Sequence, residues 1–131
     1  MEKQWTTQHS EFKEEKKMNV SLEGFNSKTA TFAADADVKK GDPVTFTSNY
    51  TVGVAGSGVA FCGVCIDVRD GYATVQLCGY CRAKYSGSAP VVGYSLLAGD
   101  GSANVKTISS NGTAVSVIDV DTTEKTVGFY F

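Results

Sequence analysis

The 131-residue chain has no run approaching the roughly eighteen consecutive apolar residues that a membrane-crossing helix needs. Its opening MEKQWTTQHS lacks the apolar centre of a signal peptide, so export by a standard leader is not expected. Positive charge is not in excess. The 12 Lys and Arg stand against 14 Asp and Glu, for a net charge of −2 and a pI near 5.3. Beyond the first seventeen residues the basic side chains are scattered, so no nucleic-acid partner is expected. Histidine is almost missing. His9 is the single one, and no Ser/His/Asp or Cys/His arrangement can be assembled around it. The sequence therefore offers no catalytic residue and no cofactor-binding residue, and a small enzyme lacks its chemistry. The glycine-rich stretch at 53–58, GVAGSG, looks like a phosphate-binding loop only superficially. No Gly-Lys-Ser/Thr follows it and no helix opens after it, so it reads as a flexible strand connector.

The length suits one domain, and a domain of this size buries about two-thirds of its unfolded surface. It needs neither a metal nor a disulfide to fold. Residues 1–17 differ from the rest: eight of the seventeen are charged, and EFKEEKK can make only a marginal helical turn. They are expected to form a flexible N-terminal arm, or else an extension ahead of a start at Met18. Residues 18–131 are expected to form a single β-barrel domain. There the helical pattern vanishes and short runs of Val, Thr, Tyr and Phe alternate with Gly, Asn, Asp and Ser. Strands are expected at 28–33, 43–48, 51–54, 60–69, 72–85, 94–98, 105–108, 113–119 and 126–131. Pro43 at a strand's first position leaves no ladder donor missing. Asp70-Gly71 and Asn111-Gly112 mark tight reversals, and Gly99-Asp100-Gly101 a further turn. The apolar ending GFYF is expected to lie within a sheet. The fold class is all-β, a small antiparallel β-barrel or sandwich with a flexible N-terminal arm.

The stretch 60–85, AFCGVCIDVRDGYATVQLCGYCRAKY, carries the most chemistry. It reads as one long hairpin turning at Asp70-Gly71, with Arg69 opposite Tyr72, Asp67 opposite Thr74 and Cys65 opposite Gln76. The same count sets Gly63 opposite Cys78 and Cys62 opposite Gly79. Ile66, Val68, Ala73, Val75 and Leu77 then share the inner face, and Asp67, Arg69, Tyr72, Thr74 and Gln76 the outer one. The hairpin also holds two Cys-x-x-Cys pairs, Cys62/Cys65 and Cys78/Cys81, twelve residues apart. That spacing matches a zinc ribbon, in which four thiolates converge on one tetrahedral ion. The surroundings oppose it. In a regular strand, positions three apart point to opposite faces. Ile66 and Arg82 stand where a ribbon knuckle usually has glycine. Bulges at Gly63 and Gly79 would restore convergence. Three readings stay open: small semi-apolar strand residues, a zinc site used by an adaptor for protein or nucleic acid, and a disulfide or redox pair. In a reducing interior, thiols or ligands are favoured over disulfides.

The remaining candidates are minor. Asp119 and Asp121 share one side of a strand and read as a solvated face, with a calcium or acid–base pair as the sharper option. Asp35-Ala36-Asp37 reads as a turn. Trp5, Phe12 and Phe25 are ordinary arm and core residues or anchors for a partner surface. The Asn-x-Ser/Thr triplets at Asn19, Asn49 and Asn111 are chance matches in a chain with no export signal.

Two strings carry a family resemblance: CGVCIDVRDGYATVQLCGYCRAKYSGSAPVVGYSLLAGDGSANVK at 62–106 and VIDVDTTEKTVGFYF at 117–131. With KKGDPVTF at 39–46, they resemble small prophage-encoded proteins of Gram-positive bacteria near a family of phage head-decoration, or capsid-stabilising, proteins. The resemblance covers nearly all of 24–131. It implies a small β-barrel, assembled as a homotrimer at capsid symmetry axes, with no enzymatic activity. It implies a virion structural protein whose partner is the major capsid protein of a phage shell. Such a protein would sit on the virion surface, after a period in the bacterial host cytoplasm during assembly. The cysteine positions need not hold cysteine in such relatives, so the resemblance implies no zinc at Cys62, Cys65, Cys78 and Cys81. A disordered arm that orders on the shell would suit residues 1–24.

Overall fold

The computed structural model describes residues 27–131, and the expected arm, with His9, Trp5, Phe12 and Phe25, lies outside them. Among the described residues there are ten β-strands and no helix. The fold is all-β. The strands are β1 (Lys28–Ala34), β2 (Pro43–Ser48), β3 (Thr51–Val54), β4 (Gly63–Arg69), β5 (Tyr72–Cys78), β6 (Tyr80–Lys84), β7 (Gly93–Gly99), β8 (Val105–Thr107), β9 (Thr113–Asp121) and β10 (Thr126–Tyr130). The first five close into a barrel in the order β1-β3-β2-β4-β5, and the other five form a second sheet, β6-β10-β9-β7-β8. All pairings are antiparallel except β1 with β3, which run parallel through Ala33↔Thr51 and Ala34↔Val52. The outer strands of the second sheet approach each other at one parallel bridge, Tyr85↔Val105, where Ser86 N–H donates to Val105 O at 2.9 Å.

Each sheet has its own core. The barrel encloses Val38, Val44, Val52, Cys65, Ala73 and Val75. The second sheet buries a larger set that includes Phe61, Leu97, Val105, Val115, Val117, Val127 and Phe129. Alternation explains the second set directly: on β9, Val115 and Val117 face in while Ala114 and Ser116 face out. The rings of Phe61 and Phe131 flank Phe129, with centroids 5.8 and 5.6 Å away, a separation that favours offset and edge contacts. The segment 55–61 seals this core. Gly99 exchanges backbone hydrogen bonds with Gly58 (3.0 Å) and Val59 (2.9 Å), and Thr113 Oγ1 donates to Phe61 O at 2.7 Å.

The long hairpin departs from its expected form in two places. The turn is as expected: Asp70 and Gly71 both have positive φ (53° and 81°), as a two-residue hairpin turn with right-handed strand twist requires. Arg69↔Tyr72 and Asp67↔Thr74 hold as well. A bulge at Ile66 then shifts the register, so Cys65 meets Val75 rather than Gln76, and Gln76 meets Val64. The facings expected beyond that point, Gly63 with Cys78 and Cys62 with Gly79, go with the same one-residue shift. Ala73 and Val75 are buried as expected, but Ile66 and Val68 are each 37% exposed. The reason is that β2 meets β4 only through Pro43↔Val64 and Val44↔Gly63, so the distal half of β4 is left uncovered on that side.

The second departure is at Gly79. The expected strand 72–85 is two strands in two different sheets, parted by Gly79 at φ +100°. Its N–H donates to Phe131 O at 2.7 Å, and Phe131 N–H returns a bond at 3.2 Å. The Gln76 side chain crosses the kink, Nε2 donating to Cys78 O (3.0 Å) and Tyr80 O (2.8 Å). A pattern read from alternation alone continues through such a kink, because Leu77 and Cys81 are apolar on either side of it.

The turn between β7 and β8 is built on Asp100. Its carboxylate accepts from Ser86 Oγ (2.7 Å), Ser102 N–H (2.6 Å), Asn104 N–H (3.0 Å) and Asn104 Nδ2 (3.1 Å). Partial burial pushes the carboxyl up, but the four hydrogen bonds outweigh it and bring the pKa down to about 2. An acid with a folded pKa below its unfolded value contributes stability that is complete above the unfolded pKa and lost as pH falls through the folded one. The Asp100→Asn variant is expected to be less stable than the wild type by about 1–2 kcal/mol at pH 7. Urea titrations should show that gap closing between about pH 4 and pH 2. A gap independent of pH would show that the charge of Asp100 does not hold this turn.

Candidate docking face

The structure separates most of the sequence-predicted sites. Cys65 lies in the barrel core with Cys62 packed against it, whereas Cys81 lies in the core of the second sheet. No disulfide joins any of the four cysteines. Burial pushes the Cys62 and Cys65 thiols up, and burial followed by the neighbouring Cys78 pushes Cys81 up to about 12. Such thiols are protonated at neutral pH, so none of these three is an activated nucleophile. Among the described residues no group of three or more His, Cys, Asp or Glu is placed to hold a metal ion.

The acidic pairs are engaged one residue at a time. Asp119 Oδ2 accepts from Arg82 Nη1 at 2.7 Å, and Arg82 also reaches Tyr80 Oη (3.2 Å) and Thr126 Oγ1 (3.1 Å). Asp121 Oδ1 accepts from the N–H groups of Thr123 and Glu124, both at 3.0 Å, and so caps the β9–β10 turn. Asp35 lies at the head of a turn, its Oδ2 accepting from Thr47 Oγ1 at 3.0 Å, and its carboxylate covers Gly53. The glycine-rich stretch divides: Gly53 belongs to β3, and Gly56 and Gly58 form the turn that leads into the second core.

Apart from Val59, the large exposed hydrophobics form two sets, Phe46, Tyr50, Ile66, Val68 and Tyr72 on the barrel and Val91, Val92, Tyr94 and Ile118 on the second sheet. On the outer face of the second sheet, Tyr80 pairs with Tyr130, Tyr130 with Ser116, and Ser116 with Tyr94. These four side chains form a row across β6, β10, β9 and β7. Tyr94 is 78% exposed, Val92 just before β7 is 63% exposed, and Val91 is exposed as well. A bulge in β9 adds to the patch. Gly128 pairs with Asp119 and Phe129 with Val117, which leaves Ile118 as the extra residue, 42% exposed. The inner neighbours Leu97, Val115, Val117 and Phe129 are fully packed, so the face rests on a rigid floor. Gly128 keeps the row flat: a Cβ there would meet Tyr80 Oη and Arg82.

Scattered apolar side chains are ordinary on a soluble protein, but a contiguous exposed group of Val, Tyr and Ile on a rigid sheet marks a contact surface. Tyrosine suits that use, with a large apolar ring and a polar tip on two rotatable bonds. Sequence reading passed over this face. The signal was present in VVGYSLL at 91–97, where both strand parities are apolar, so burying one face of β7 leaves the other uncovered. A scan against protein-family models finds no match, and a search of curated proteins finds none either.

Proposed function

We propose that this chain is a non-enzymatic phage structural protein, a head-decoration protein that assembles as a trimer and clads the outer surface of a capsid. The observation that carries the reading is the exposed face of Val92, Tyr94 and Ile118 on the second sheet. The resemblance of 39–46, 62–106 and 117–131 to prophage decoration proteins supplies the partner, the major capsid protein. A small rigid β-protein with an exposed apolar face suits such cladding. Each contact is modest, and repetition over a closed lattice multiplies it.

The test joins solution assembly to shell binding. Analytical ultracentrifugation should give a trimer, and the protein should co-sediment with expanded empty heads. Tyr94→Asp with Val92→Asp is expected to weaken that co-sedimentation at least tenfold, a loss on the order of 1.4 kcal/mol per contact. The thermal midpoint should hardly move, since neither side chain is in the core. A monomer that pellets with no shell overturns the proposal.

A further inference from the structure

A second surface lies between the barrel and the second sheet. It is an open groove of about 390 Å³ lined by Lys39, Lys40, Gly41 and Asp42 from the β1–β2 loop, by Arg82, Ala83 and Lys84 of β6, and by Ala103, Asn104 and Thr126. Four of its ten lining residues are cationic in a chain that is net negative. Among the described residues the ion pairs are Arg82–Asp119 at 2.7 Å and Arg69–Asp67 at 4.0 Å. Lys39, Lys40 and Lys84 therefore make no ion pair there, and all three are exposed. The one carboxylate in the lining, Asp42, is buried, its Oδ2 accepting from Lys39 N–H at 2.8 Å, and the Lys39 charge acts on it, so it offsets part of the groove's positive charge and leaves the rest. Three like charges gathered round a concavity repel one another, and a bound anion relieves that repulsion.

The donor set says which kind of anion. A phosphate site gathers converging backbone N–H groups or a free guanidinium fork. Here Gly41 N–H is committed to Cys65 O at 2.7 Å, Lys39 N–H to Asp42, and two nitrogens of Arg82, Nε and Nη1, to Thr126, Tyr80 and Asp119, so neither edge of its fork is free for a bidentate grip. The main donors left are three ammonium groups on long flexible stems along the groove's walls. They match single carboxylates spaced along a chain better than one compact polyanion. We infer that this groove docks an extended acidic segment of a partner protein, its carboxylates meeting Lys39, Lys40 and Lys84. The inference uses none of the residues of the β7–β9 face and does not depend on the capsid reading.

The probe is a fluorescein-labelled ten-residue peptide of alternating Glu and Thr, followed by anisotropy against the full chain at low ionic strength. Binding is expected, and it should weaken steeply as salt approaches about 0.15 M, where the screening length is about 8 Å. Each exposed charge pair contributes little, so Lys40→Glu with Lys84→Glu is expected to lower affinity about tenfold. Lys28→Glu with Arg69→Glu, the same charge change on β1 and β4 of the barrel, outside the groove's lining, should leave it within twofold. All four side chains lie outside the buried cores, so these variants keep the fold, which matched thermal melts verify. The proposal is overturned if the peptide does not bind, if both double variants lose affinity equally, or if a ten-nucleotide single-stranded DNA binds the wild type more tightly than the peptide does.

Discussion

Phe129→Ala is expected to cost about 3–5 kcal/mol of folding stability, enough to leave the second sheet barely folded. Phe129 has no exposed surface, and its ring lies against those of Phe61 and Phe131. It stands on β10, the strand between β6 and β9, so its removal opens a cavity where two strand pairs share one filler. Phe61 and Phe131 cannot collapse into that space freely. The Phe131 backbone is fixed to Gly79 by two hydrogen bonds, and the Phe61 carbonyl is held by Thr113. Guanidinium denaturation at pH 7 checks the size of the loss, and Phe129→Leu, which keeps most of the volume, should lose less than half as much. A loss under about 1 kcal/mol for Phe129→Ala would mean that this aromatic cluster does not organise the second core.

Gly63→Ala is the other large effect, at about 2–3 kcal/mol. A Cβ at Gly63 would meet the backbone oxygen of Gln76 directly and Val75 Cγ1 at 2.7 Å. Gly63 opens β4 and pairs with Val44, at the short seam by which β2 closes the barrel. The Gln76 backbone and the buried Val75 side chain leave little room to yield, so β4 has to part from β5 at this end. Gly71 makes the informative contrast. It has φ +81° but nothing within 4 Å of a built Cβ. Gly71→Ala therefore costs only the conformational strain of a left-handed residue, about 1 kcal/mol. Chemical denaturation of the two variants side by side should rank Gly63→Ala as the more damaging. The reverse order would show that turn geometry, rather than close approach of strands, governs the hairpin.

The two surfaces differ in how they bear on function. The β7–β9 face is rigid and apolar, and suits a fixed contact. The Lys39–Lys40–Lys84 groove is charged and shallow, and its contribution to binding is mainly to rate and selectivity, which salt weakens. Failure of one reading leaves the other intact, since they share no residue.

Much of the architecture was written locally. Alternation of Val, Thr and aromatic residues specified strands, and Asp70-Gly71 specified its turn, because both depend on neighbours within a few residues. The placing of the GFYF ending in a sheet was equally legible: β10 runs through Tyr130, and Phe129 is buried in it. What lay beyond the sequence was every choice made between distant segments. The single-residue bulge at Ile66 cancels a register count made from the turn, and nothing in the local pattern marks it. Gly79 could have been a weak point in one strand or a passage between two, and only the pairing with Phe131 decides it. Two cores rather than one, Cys62 and Cys65 at the first and Cys81 in the second, and a row of three tyrosines and a serine from four separate strands are outcomes of that pairing. A strand carries its own in-and-out pattern, but which of its faces meets another sheet and which is left to meet a partner is set only when the sheets close.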